Sequence, residues 1–175
     1  GGSYQQLQTA DGYPGVLDGI IPCRTFPDVG FATVWAVSDA RLLHRYFTTK
    51  AGVAFTPEEM RAVSGFLTLA SVANLDRAGG RVQVSEYCPD VLPQDLRYHR
   101  AANPTGARCD VYDHAVNAYG RDPETGFARR PLDNEGIQYG FHALNAGTIT
   151  NAQFLDLNER IGGFDNDGNV VASRS

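Results

Sequence analysis

One run in this chain, Val16-Leu17-Asp18-Gly19-Ile20-Ile21, reads as a short buried strand, and the 175 residues offer no second run of equal strength. A strand leaves rows of backbone N–H and C=O groups to be paired, so one strand by itself is never a sheet. Pro22 stops the run, Tyr13-Pro14-Gly15 turns into it, and the helix formers of residues 4–11 precede it, closed by Gly12. Turn, helix, turn and strand in that order make half of a parallel α/β unit. The expected fold class is α/β, as a fragment of a sheet with a large helical insertion.

The rest of the chain carries helix signals. Val34, Val37, Ala40, Leu43 and Phe47 recur at three- and four-residue steps, which predicts an amphipathic helix over residues 31–46. Thr56-Pro57-Glu58-Glu59 combines an N-cap Thr, a Pro at the first helical position and a Glu placed to close a capping box, so a helix is expected from there to about Leu69. Residues 76–108 hold Gly79-Gly80, Pro89, Pro93 and Pro104 without sustained period and read as surface loop. Asp110 is placed to cap a short helix over 111–119, closed by Gly120. Asp133 or Asn134 is expected to cap another to about Asn145, closed by Gly147. Thr150 with Gln153 makes a second capping box, with Phe154, Leu155 and Leu157 facing inward and Gly162-Gly163 at the end. The expected organisation is residues 1–29 in a sheet core, 30–160 as a helical lid over an active site, and 161–175 returning toward the core.

Composition excludes several classes of function. A formal charge of −5, with no basic cluster longer than Arg129-Arg130, offers no footing for the phosphate contacts that dominate nucleic-acid affinity. No apolar run approaches the roughly 18 residues of a membrane span. Cys23, Cys88 and Cys109 lack the Cys-x-x-Cys spacing of structural zinc sites, and their odd number leaves one thiol over if two pair. No metal and no cofactor are expected. The first residue is Gly1, with no initiator Met, and the opening has the look of a tight turn, so the chain is expected to be a processed or excised piece.

Few residues have a setting suited to chemistry. Of the histidines, His44 and His142 fall in expected helices, and His114 follows Asp113 on a short helix where adjacent side chains diverge. His99, in the loop Arg97-Tyr98-His99-Arg100, alone has a loop setting. In Arg130-Pro131-Leu132-Asp133-Asn134 and the nearby Tyr139, Asp133 or Tyr139 is a candidate to reach a bound substrate, against the simpler role of Asp133 or Asn134 as a helix cap. Asp165-Asn166-Asp167-Gly168-Asn169 has the alternating oxygens of half a calcium loop, although an Asx turn explains it more simply.

The opening Gly1-Gly2-Ser3-Tyr4-Gln5-Gln6, running by a helix into Tyr13-Pro14 and then Asp18-Gly19-Ile20, resembles the nucleophile region of the tannase and feruloyl-esterase branch of the α/β-hydrolases. There G-x-S-x-G-G-R-Q leads by a helix into Tyr-Pro and Asp-Gly-Ile. The chain is closer still to a bacterial group of secreted tannase-like hydrolases of unknown function. Strings similar to Tyr119-Gly120-Arg121-Asp122-Pro123, Arg130-Pro131-Leu132-Asp133-Asn134, Gly136-Ile137-Gln138-Tyr139-Gly140 and Leu157-Asn158-Glu159-Arg160-Ile161-Gly162-Gly163 recur in that group.

The resemblance implies a serine hydrolase that cleaves a small or oligomeric carboxylic ester through an acyl-enzyme. It places the nucleophilic Ser immediately before Gly1, whose N–H then points into an oxyanion hole, where one donor is worth roughly 3 kcal/mol. Ser3 stands where the family often has Gly, which makes Ser3 an alternative nucleophile. The acid and the His are implied beyond Ser175, so the expected partner is the remaining polypeptide of the same precursor, carrying nucleophile, acid and His, and this chain alone is expected to be inactive. An amidase or peptidase with the same triad, or a non-catalytic lid or binding chain, remain open. The secreted relatives imply a secreted or periplasmic location and oxidation of Cys88 with Cys109.

Overall fold

The structure, a computed structural model, describes residues 2–23, 34–49, 52–84, 86–114 and 116–174. Two compact units divide the chain, Gly1–Ala36 and Val37–Ser175. The described residues are mostly helical, with one small two-stranded antiparallel sheet.

In the first unit the expected opening helix is present as α1 (Gly2–Gly12). The turn at Pro14 and Gly15 follows, with Val16 N–H donating to Tyr13 O at 3.3 Å. The strand expected at residues 16–21 does not form. This segment is irregular and uncovered, with Val16 66% and Ile21 85% exposed. Apolar patterning reports that a segment favours burial. A ladder also requires a neighbouring strand, and none of the described residues supplies one to this segment.

The second unit is built on local signals that the tertiary structure trims. Helix α2 (Val34–Thr49) buries Val37, Ala40 and Leu43 as the period predicts, together with Leu42 and Tyr46; Phe31 lies outside the described residues. Helix α3 (Pro57–Ser64) opens with the complete capping box: Thr56 Oγ1 accepts from Glu59 N–H, and Glu59 accepts from Thr56 N–H at 2.6 Å. It stops short of Leu69 because Gly65 takes a left-handed φ of 70° and returns its N–H to Arg61 O. The chain restarts as α4 (Leu69–Asp76). The described residues of 77–108 are loop as expected, interrupted by single 3-10 turns at Gly79–Val82 and Gln94–Leu96, but they do not all lie at the surface, since Val82, Val84 and Tyr98 are buried.

Asp110 caps α5 (Val111–His114), its Oδ1 accepting from Tyr112 and Asp113 N–H at 2.8 and 3.0 Å. Helix α6 (Val116–Tyr119) ends at Gly120, at φ 76°. The helix expected to begin at Asp133 or Asn134 begins only at α7 (Phe141–Asn145). Gly136 and Gly140 between them both hold φ 79°, a conformation that no helix continues through. At Gly140 a Cβ would also press on Ile149, Val63 and Leu157 within 3.4 Å, so this glycine sets how closely its neighbours approach. Asp133 Oδ1 accepts from Glu135 N–H in a turn, while Asn134 is buried and donates to Gly162 O at 2.7 Å.

The second capping box opens α8 (Asn151–Arg160), with Gln153 Oε1 accepting from Thr150 N–H at 2.8 Å. Gln153, Leu157 and Ile161 form its buried line at four-residue steps. Leu155, expected inward, is 66% exposed because it lies two residues from Leu157, on the far side of the helix. Strands β1 (Gly163–Phe164) and β2 (Val170–Val171) pair antiparallel after it, within the segment expected to return toward the core. Replacing Thr150 with Ala is expected to cost about 1 kcal/mol, since it removes the hydroxyl that accepts from Gln153 N–H while the backbone N–H at 150 keeps its bond to Gln153 Oε1. A thermal melt should show a fall in Tm of roughly 2–4 °C.

Candidate functional site

The most elaborate local architecture in the second unit surrounds the bond between Cys88 and Cys109, which the structure joins as expected, with Cys23 left free. Inside this loop Tyr98 N–H donates to Ala107 O, and His99 and Asn103 exchange both backbone hydrogen bonds at 2.9 Å. The Arg97 guanidinium ties the loop to Leu92 O and Pro89 O, and Asn103 Nδ2 donates to Asp95 O and Arg97 O. A Cβ at Gly106 would collide with Arg97 O, so the two limbs approach as closely as glycine permits.

Opposite this loop lies the turn between β1 and β2. Asp165 Oδ1 accepts from Asp167 and Asn169 N–H at 2.9 and 2.8 Å, the simpler Asx-turn role of the calcium-like string. Gly168, at φ 77°, packs so closely on Val82 O that no Cβ fits. Two backbone bonds draw the parts together: Val84 N–H to Asp167 O at 3.3 Å and Cys109 N–H to Val84 O at 2.8 Å. Between loop and turn is a cleft of about 320 Å³, lined by Tyr98, His99 and Arg100 on one side and by Gln83, Asp167 and Asn169 on the other, with Glu86 and Val84 completing it.

Next to the cleft runs a buried ion network. The Arg108 guanidinium lies over the rings of Tyr98 and Phe127 at 4.4 and 3.9 Å, its Nε donating to Asp113 Oδ2 at 3.1 Å and its Nη1 3.8 Å from Asp167 Oδ1. Nη1 and Nη2 are buried without a hydrogen-bond acceptor among the described residues, and the aromatic faces take up the charge instead. Arg130 Nη2 bridges Asp110 Oδ2 and Asp113 Oδ2. Burial pushes the Asp110 carboxyl above the usual carboxylate range, aided by Asp113 beside it and opposed by the Arg130 charge. Burial acts likewise on Asp113, but hydrogen bonds from Asp110 and Arg108 and the charges of Arg130 and Arg108 outweigh it and hold this carboxyl below its usual range. Tyr98 closes the link between network and cleft, its hydroxyl donating to Asp167 Oδ1 at 3.1 Å.

A second cavity, about 250 Å³, is apolar and lined by Tyr46, Phe47, Val53, Phe55 and Met60. Its three aromatic rings pack within 6 Å of one another, tilted or edge to face. Tyr46 OH donates at its edge to Asp156 Oδ2 at 2.6 Å, and no Cβ fits at Gly52 beside that bond.

The residues singled out from sequence are dispersed. Gly1 lies outside the described residues. In the first unit the Ser3 hydroxyl donates to Cys23 O and accepts from Cys23 N–H at 2.9 Å, tying the first turn of α1 to the end of the irregular segment. His44 pairs with Asp76 at 2.8 Å, His99 Nδ1 accepts from Ala101 and Ala102 N–H, and the side chain of His114 is outside the description. Asp133 is exposed in its turn. Tyr139 is buried, with its hydroxyl donating to Asp39 Oδ1 at 2.8 Å and accepting from Asn134 Nδ2 at 3.4 Å. Sequence spacing alone does not single out the side chains of Arg100, Arg108 and Arg130. Only the strings around His99 and Asp165 pointed to the cleft.

The Asp39–Tyr139 pair has a pH signature. Burial, against the Tyr139 hydrogen bond, raises the Asp39 carboxyl above its usual range, so the fold favours its neutral form. Wild-type stability is therefore reduced as pH climbs through the usual carboxylate range toward the raised value. Asp39→Asn, which keeps an acceptor for Tyr139, is expected to raise Tm at pH 7 by roughly 1–3 °C and to make no difference near about pH 3. Melts of both proteins across that range check it.

No helix among the described residues is long and apolar enough to cross a membrane. A family model described as a tannase-like family of unknown function (DUF6351) matches residues 1–175. Neither the comparison with curated proteins nor that with solved structures finds a match.

Proposed function

We propose, since the chain belongs to this tannase-like family, that it forms part of a serine hydrolase acting on carboxylic esters, with residues 30–160 as the segment that decides which esters are taken. The observation that carries the reading is the start of α1. Among the described residues α1 runs from Gly2 to Gly12, as the helix that follows a nucleophile elbow would. A Cβ at Gly2 would meet nothing within 4 Å among the described neighbours, so the glycine answers to no packing requirement within them.

In this reading the nucleophilic serine precedes Gly1, and its hydroxyl oxygen attacks the ester carbonyl while a histidine takes its proton. The Gly1 N–H donates to the oxyanion, the alcohol leaves with a proton from the histidine, and water releases the acid from the acyl-enzyme. The acid and the histidine come from polypeptide beyond Ser175. Tyr13, Val16, Leu17 and Ile21, all exposed, are the surface that the remaining hydrolase core covers. Ser3 is the weaker nucleophile, because its hydroxyl already holds both backbone groups of Cys23. The disulfide at Cys88 and Cys109 supports an extracellular or periplasmic location.

A fluorophosphonate probe tests this on the full natural polypeptide. Labelling of the serine immediately before Gly1, with residues 1–175 alone unlabelled and inactive toward p-nitrophenyl esters, is the expected result. Labelling of Ser3 would overturn the alignment, and no labelling anywhere would overturn the hydrolase. Turnover of an anilide in preference to the ester would reassign the activity to an amidase.

A further inference from the structure

We propose that the cleft between the disulfide-closed loop and the turn of the small sheet is a binding site for a polyhydroxylated ligand, a single saccharide unit. The proposal does not rest on the hydrolase reading. It follows from which polar groups the fold has already committed around this cleft and which it leaves over.

His99 Nδ1 accepts two backbone N–H groups, at 3.3 Å from Ala101 and 2.9 Å from Ala102, so the neutral ring carries its proton on Nε2 and offers a donor there. Gln83 is buried, and its Nε2 donates to Asn169 Oδ1 at 3.2 Å. Asn169 Nδ2 in turn donates to Asp165 Oδ2. This chain fixes the Gln83 amide and leaves its Oε1 as an acceptor. Asp167 has Oδ1 occupied by Tyr98 OH and faced by Arg108, leaving Oδ2. Glu86 and Arg100 also line the cleft, and neither has an ion-pair partner among the described residues.

The uncommitted set is therefore mixed: acceptors at Gln83, Glu86 and Asp167, donors at His99 and Arg100. A simple anion would meet two carboxylates. A metal ion needs converging ligands, and no group of three His, Cys, Asp or Glu among the described residues stands close enough to share one. An apolar molecule finds only Val84 and the Tyr98 ring. A ring of hydroxyls suits the set, since each hydroxyl both donates and accepts, and a carboxylate or guanidinium engages two neighbouring ones at once. A volume of about 320 Å³ suits one sugar unit better than a chain. The walls are preorganised by the disulfide loop and the Asx turn, so binding orders little of the protein. Arg108 lies over one face of the Tyr98 ring and Phe127 meets it edge to face, which limits stacking on it, and affinity in the millimolar range, about 4 kcal/mol, is expected.

Saturation-transfer NMR on the full natural polypeptide with glucose, galactose, xylose and N-acetylglucosamine, each added alone, tests the site. Transfer to at least one sugar is expected. Glu86→Gln combined with Arg100→Met should weaken that binding about tenfold or more, with Tm unchanged because neither side chain has an ion-pair partner among the described residues. Transfer to none of the four sugars would overturn the proposal, as would equal binding by the double variant. Competition of the bound sugar by inorganic phosphate at similar concentration would also overturn it, in favour of an anion site. Fluorophosphonate labelling is read on the same samples: labelling without sugar binding defeats this proposal alone, and sugar binding without labelling defeats the hydrolase alone.

Discussion

Arg130→Met is expected to cost about 3–5 kcal/mol of stability, the largest single-residue effect in the second unit. The side chain of Arg130 is 7% exposed, that of its partner Asp110 is fully buried, and Asp113 sits between Arg130 and Arg108. Removing the guanidinium leaves two carboxyl groups side by side out of water, with Arg108 able to answer only one. Urea unfolding should show a lower midpoint at unchanged slope. Both carboxyls then favour protonation, so the deficit is expected to be greatest at neutral pH and to shrink below about pH 4. In the wild type the two members work in opposite directions: the lowered Asp113 contributes stability that is lost as acid protonates it, while the raised Asp110 lowers stability as pH climbs through its range. Adding Asp110→Asn to the Arg130 variant should recover a large part of the loss, because the pair is coupled. A loss under about 1 kcal/mol for Arg130→Met would mean that the network is solvated in solution.

Reduction of the Cys88–Cys109 bond, or its replacement by two alanines, is expected to cost about 3 kcal/mol through the freedom returned to the unfolded loop, and to lower Tm by roughly 6–12 °C. The consequences reach beyond the loop. Cys109 stands between Arg108 and Asp110, and its N–H is bonded to Val84 O, so the same bond anchors the ion network and one wall of the cleft. Hydrogen exchange in the reduced protein should rise first at residues 96–109 and 83–84. An unchanged Tm after reduction verified by mass would show that the backbone ladder holds the loop unaided.

What was legible in the sequence is what is decided within a few residues. Thr56 with Glu59 and Thr150 with Gln153 make their capping boxes from side chains three positions apart, and both boxes form in full. Asp110 caps its own helix, and Gly120 and Gly147 end theirs in the left-handed region, because backbone sterics act locally. The buried line of α2 follows from its period alone. The Cys88–Cys109 pairing came from family resemblance, and the structure agrees with it.

Contacts between distant segments decided the rest. Residues 16–21 have the pattern of a strand, but a ladder depends on a neighbour, and pattern says nothing of whether one is alongside. Asn134, a plausible cap by type, is drawn into the core by the Gly162 carbonyl, 28 residues away. Arg108 and Arg130 look like ordinary surface arginines until the fold sets one against two aromatic rings and the other between two aspartates. The cleft joins segments near 83, 99 and 167, and a site assembled over such separations is fixed by packing and charge pairing, for which one-dimensional spacing holds no signal.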